Sequence, residues 1–167
     1  MHRLRRAGAA LAAASLSLLA GCGGATAVAP AADLSAPPCS LVPDGELAGL
    51  GLTGPDRATG QPAPSCSWDT AGSGGGAAGF SVTVPTVLFV AAQPGAYDAA
   101  LDQLRAGGAL TEDPLDGRRA ATGGAGGACL AVVDTGSGAL SVVSGATPDP
   151  CGAARRILAA ALRTATA

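Results

Sequence analysis

The chain contains no lysine: all ten of its basic residues are arginine, as expected of the codon bias of a high-GC genome. Its only histidine is His2. If residues 1–21 are removed on export, the remaining protein has neither an imidazole nor a side-chain amine. That excludes Ser-His-Asp and Cys-His nucleophilic catalysis, histidine metal sites and lysine Schiff bases. Aromatic residues are also scarce. Trp68, Phe80, Phe89 and Tyr97 are the whole set, so a core must be assembled from Val, Leu and Ala, which bury less area each. There is no Cys-x-x-Cys pair, and zinc sites made of thiolates usually present one. No internal repeat occurs.

The longest uncharged run is short. Ala7 to Ala20 is a mostly apolar segment of 14 residues behind the positive Arg3, Arg5 and Arg6. Spanning a bilayer as a helix takes roughly 20 residues, so the segment has the form of an export signal rather than a membrane span. It ends in Leu19-Ala20-Gly21-Cys22, the pattern of a lipobox, at which a lipoprotein precursor is cut before a cysteine whose sulfur carries diacylglycerol. Cysteine counting agrees. Five cysteines are an odd number for an exported chain, and assigning Cys22 to lipid leaves Cys39, Cys66, Cys129 and Cys151 to form two disulfides.

The expected organisation is a signal peptide over 1–21, a lipidated Cys22 with a tether to 38, and one globular domain over 39–167. Residues 22–167 hold seven Arg against twelve acidic residues, a formal charge of −5. That excess argues against nucleic acid, which requires clustered positive charge, and against electrostatic docking on anionic lipid. A diacylglyceryl group brings two acyl chains, enough for stable anchoring where one is marginal. The expected location is therefore the outer face of the cytoplasmic membrane. Gly23 to Pro38 is small, Pro-rich and without hydrophobic period, the composition of a flexible to semi-extended tether.

Along the domain, Pro43 to Leu50 reads as a short helix with Asp44 and Glu46 at its positive end. Gly54 to Pro64 reads as an irregular crossing and Ser65 to Trp68 as a strand. Gly72 to Gly79 is a loop. Phe80 to Val84 alternates as a half-buried strand does, and Pro85 marks a bulge or edge before a strand at Val87 to Val90. A helix from Pro94 to Ala106 places Tyr97, Leu101 and Leu104 on one face. Leu110 to Ala121 holds one or two short strands turning at Asp116-Gly117. Cys129 to Asp134 and Ala139 to Ser144 form the clearest hairpin. The last helix has Asp149 as cap, Pro150 at its first position and an apolar stripe of Ala154, Ile157, Leu158, Ala161 and Leu162. The fold class is α+β, an antiparallel sheet packed with helices.

Three disulfide pairings are possible. Cys39 with Cys66 and Cys129 with Cys151 is favoured, because each bond ties a helix terminus to a strand and closes a loop of about 20–30 residues, worth roughly 3 kcal/mol. Four thiolates on a metal are the competing arrangement.

Pro38-Cys39-Ser40-Leu41, Cys66-Ser67-Trp68, Cys129 in a strand and Asp149-Pro150-Cys151 opening an Ala/Leu-rich helix resemble, in that order, a family of actinobacterial lipoproteins of unknown function, the LprB/LprC type. The resemblance covers about Pro38 to Leu162. It implies a PsbP-like sandwich tethered outside the cytoplasmic membrane, and it carries over no catalytic residues.

Candidate sites are weak. Glu112, Asp113 and Asp116 could form an acid/base pair or a calcium site, but around Pro114 a solvated turn is the simpler account. Gly123 to Gly127 lacks the Lys-Ser/Thr of a phosphate loop and precedes a strand, so it reads as a flexible connection. Arg118 and Arg119 could meet an anionic group or simply be solvated. Trp68 could be a stacking platform for a ligand or a core residue packed on a disulfide. No catalytic residue, metal or cofactor is expected. The preferred function is a non-catalytic envelope module, anchored through Cys22, that binds an envelope protein or a small or lipidic ligand. The alternative is a cell-wall hydrolase using carboxylates alone. A third option is a spacer with no specific ligand.

Overall fold

In a computed structural model of the protein, residues 29–56, 63–70, 85–108, 110–145 and 147–167 are described. The signal segment, the lipobox with Cys22, the Gly72 to Gly79 loop and the Phe80 to Val84 strand expected from the sequence lie outside them.

Among the described residues, seven strands make one antiparallel sheet: β1 (Leu52–Asp56), β2 (Ser65–Thr70), β3 (Thr86–Ala91), β4 (Thr111–Glu112), β5 (Ala120–Ala125), β6 (Ala128–Asp134) and β7 (Ala139–Ser144). Their spatial order is β1-β2-β3-β7-β6-β5-β4. Three helices accompany them: α1 (Asp44–Gly49), α2 (Ala96–Ala106) and α3 (Pro150–Ala165). A 3-10 turn, Pro38–Ser40, precedes α1.

Helices α3 and α2 pack on opposite faces of the sheet, giving three layers. The alternation of β6 sorts its side chains between them. Val133 and Ala131 join Leu88, Leu140, Val142, Ile157, Leu158 and Trp68 in the larger core under α3. Val132 joins Ala121, Ala139, Tyr97, Leu101 and Leu104 in the smaller one under α2. The asymmetry follows from the helices. The stripe on α3 buries Ala153, Ala154, Ile157, Leu158, Ala160, Ala161, Leu162 and Ala165, whereas α2 buries only Tyr97, Leu101 and Leu104.

Helix α3 begins as its sequence demands. Asp149 Oδ1 accepts from the Gly152 N–H at 2.9 Å, Pro150 occupies the first turn where no amide donor is needed, and a Cβ on Gly152 would run into the Asp149 carboxylate. The disulfides are Cys39–Cys66 and Cys129–Cys151, with sequence separations of 27 and 22. Each joins a helical terminus to a strand, the favoured pairing, and the paired sulfurs leave no four-thiolate metal site.

Several boundaries differ from the sequence expectations. Pro43 is the cap of α1, not its first residue, and α2 starts after Pro94 because Gly95 sits at φ 81, outside any right-handed helix. Leu52–Asp56, whose second half falls in the Gly54 to Pro64 stretch read as an irregular crossing, is an edge strand with a register shift between Thr53 and Pro55. Sheet edges and bulges are where proline is accommodated. Gly123 to Gly127 is not a loop throughout. Gly123 and Gly124 pair with Leu130 and Cys129 in the ladder, and only Gly126 and Gly127, at φ 62 and 84, make the turn.

The segment read as a tether is fastened to the domain from Pro30 onward. The Ala32 and Asp33 N–H groups donate to the carbonyls of Thr135 and Ala165 at 3.2 and 2.8 Å, and Ala32 is buried.

Candidate functional site

The residues singled out as binding candidates do not converge. Trp68 is 1% exposed and lies in the core under α3, so no ring face is open for stacking. Arg118, expected at the surface, is 8% exposed. Its Nη2 donates to the Pro30 carbonyl, which makes it a clamp on the N-terminal segment. Arg119, next in sequence, turns to the α2 side. Its Nη2 meets Asp98 Oδ1 at 3.0 Å and its Nη1 meets Asp134 Oδ2 at 3.5 Å, and its guanidinium stands 4.5 Å over the Tyr97 ring. The hydrogen bond to Asp98 holds the Arg119 pKa above its ordinary value. Burial raises that of the Tyr97 phenol, against an opposing pull from Arg119.

The acidic trio is likewise dispersed. Glu112 pairs with Arg105 at 3.5 Å and Asp113 with Arg155 at 3.0 Å, exposed contacts worth at most about 1 kcal/mol each. Asp116 takes a left-handed φ of 49 in the turn before Gly117. Among the described residues no group of three His, Cys, Asp or Glu could hold a metal ion.

A concave feature among the described residues lies elsewhere, beside α2. Tyr97, Leu101 and Leu104 seat this helix over Ala121, Val132 and Ala139. Its flank toward β3 carries only Ala96, Ala99, Ala100 and Gln103, none bulky enough to reach the sheet except Gln103. Phe89, Leu130, Ser141 and Val143 on the same sheet face therefore remain half-buried. Together they form a trough with a cavity volume of about 540 Å³, within the usual range for small-molecule sites. A second hollow of about 210 Å³, past the end of α2 over Gly123, Gly124 and Cys129, shares Gln103, Leu130 and Val143 with it. Gly124 accommodates the other face of the strand, where a Cβ would come within 3.3 Å of the Ala128 carbonyl and 3.8 Å of Cys151 Sγ in α3.

Among the described residues the lining contains no charged side chain, and Gln93, Gln103 and Ser141 are its polar ones. Such a surface can hold an apolar body and direct a hydrogen bond. Another hollow, between α1 and the end of α3, is crossed by the Arg163–Glu46 pair at 3.3 Å. Sequence reasoning missed the trough because each lining position looks like ordinary strand or helix surface. The available signal was the run of alanines along one flank of α2.

A family model described as a protein of unknown function (DUF3558) matches residues 17–164. No curated protein and no solved structure matches the chain. Among the described residues no helix is long and apolar enough to cross a membrane.

Proposed function

The chain belongs to the DUF3558 family of proteins of unknown function, and from that premise we propose that it is a membrane-anchored, non-catalytic binding module whose site is the trough between α2 and the sheet. The observation that carries this reading is the trough itself, an uncharged concavity of about 540 Å³ over Phe89, Leu130 and Val143. Its ligand is an apolar or lipidic molecule. Anchoring rests on the lipobox ending at Cys22, which puts the domain on the outer face of the cytoplasmic membrane. The three-layer arrangement supports the PsbP-like sandwich that the lipoprotein resemblance implies. The carboxylate hydrolase is the weaker reading, because Glu112 and Asp113 are each occupied by an arginine and no carboxylate among the described residues lines the trough.

The test uses a neutral fluorescent probe, Nile red, titrated against protein carrying Cys22→Ala. The domain is expected to bind the probe, and Ala99→Phe, which plants a ring on the open flank of α2, is expected to weaken binding by about tenfold or more. Equal binding by both proteins would remove the trough from the account.

A further inference from the structure

The N-terminal segment is fastened at one end of the sheet. Besides the two backbone hydrogen bonds to Thr135 and Ala165, Ser137 Oγ donates to the Ala32 carbonyl at 3.3 Å, and Arg118 clamps the carbonyl of Pro30. Leu34 and Ala36 continue the contact, packing against the larger core. The fastening point comprises the β6–β7 turn and the last turn of α3. That same end holds one mouth of the trough. A Cβ on Gly136 would lie 3.8 Å from Ala31, and one on Gly138 would run into the backbone of Ala91. Ala91 ends β3, lines the trough and leads directly through Gln93 and Pro94 into α2.

Distance then limits orientation. Eight residue steps separate Cys22 from Pro30, a reach of at most about 28 Å even when fully extended. A domain of this size is roughly 35–40 Å across, so it cannot turn its opposite end to a surface in which Cys22 is held. Full inversion is excluded, which keeps the end carrying Ala91 to Ala96 within the tether's reach of the membrane. Acyl chains are the apolar molecules concentrated there, and an uncharged lining fits a chain rather than a headgroup.

We propose that the fastened N-terminal segment holds the trough mouth toward the bilayer, and that the trough takes up an acyl chain of a lipid from that bilayer. The inference rests on the anchored binding module proposed above and adds its ligand class and its orientation.

The experiment uses the full lipidated protein in vesicles of phosphatidylglycerol and phosphatidylethanolamine containing a trace of phospholipid with a diazirine on one acyl chain. After illumination, adducts are mapped by peptide mass. They are expected on the peptides carrying Phe89, Leu130 and Val143, reduced at least about tenfold by Val143→Asp, which puts a carboxylate into the lining. Ala99→Phe, a filling change on the exposed flank of α2, gives an obstruction with less risk to folding and is expected to act alike. A Gly/Ser insert of roughly 20 residues after Val28 is expected to cut adducts severalfold by releasing the orientation, while Nile red binding holds. Adducts scattered over the exposed surface, or unchanged by both obstructions, overturn the acyl-chain inference and leave the anchored module standing if the acyl mass is present on Cys22. Undiminished labelling with the insert overturns the orientation. Absence of acyl mass at Cys22 overturns the anchoring itself.

Discussion

Tyr97 shows how much one side chain can be asked to do in a protein poor in aromatics. Its ring is 3% exposed and forms the N-terminal part of the contact between α2 and the sheet, with Arg119 lying over it. Burial raises the phenol pKa above its ordinary 10.0, so the neutral form is favoured in the folded state. The associated stability is fully present below pH 10 and is lost as pH rises through the folded pKa. No lysine titrates near that pH, and the domain's four cysteines are bonded. The thermal midpoint is therefore expected to hold steady from neutral pH to about 10 and to fall above it, with Tyr97→Phe removing most of the fall. A fall of the same size in the variant would assign the effect to another group. Trp68 and Arg118 teach a related lesson. Both are residue types that serve binding sites, and both are buried here in structural roles; the core role of Trp68 beside Cys66 is legible in the sequence, that of Arg118 is not.

At the scale of elements, the two disulfides do what the small aliphatic core leaves undone. Cys129–Cys151 ties the first turn of α3 to β6, and Cys39–Cys66 ties the 3-10 turn to β2. Replacing Cys129 and Cys151 together by Ala is expected to lower the unfolding free energy by about 3 kcal/mol, read as a lower urea midpoint with a slope that rises as the unlinked denatured chain expands. No shift would mean that α3 is held by packing alone. The hairpin β6–β7 and helix α3 were legible in the sequence because their signals are local: Thr135 to Gly138 between two apolar runs, and Asp149-Pro150 before a clean helical stripe. Strand β1 was not. Its Leu-Thr-Gly-Pro-Asp sequence carries turn residues, and it becomes a strand only by pairing with β2 across a bulge. Gly123 and Gly124 were misread for the opposite reason: glycines that locally signal a loop are held in the ladder by pairing with Leu130 and Cys129.

For the whole molecule, the N-terminal segment is part of the domain. Ala32 is buried, Leu34 and Ala36 pack on the main core, and two backbone hydrogen bonds join residues 32 and 33 to distant elements. Starting the chain at Pro37 in place of Ala29 is expected to cost about 2–4 kcal/mol of stability, from two hydrogen bonds and the lost apolar burial. Arg118→Gln should destabilise the longer chain and leave the shorter one nearly unchanged, since its acceptor at Pro30 is then gone. An equal effect in both chains would show that Arg118 acts on something other than this segment.

By itself the sequence determined the features that depend on neighbours along the chain: the terminal helix and its cap, the hairpin, the α+β class, and the lack of any lysine or of any histidine beyond His2. Only the tertiary structure decided which face of the sheet stays open, how far the N-terminal segment is free, and that Arg118 points inward. Each of these depends on what two elements distant in sequence leave between them. The trough exists because alanines on α2 stand opposite Phe89 and Val143, and no periodicity within either segment records that meeting.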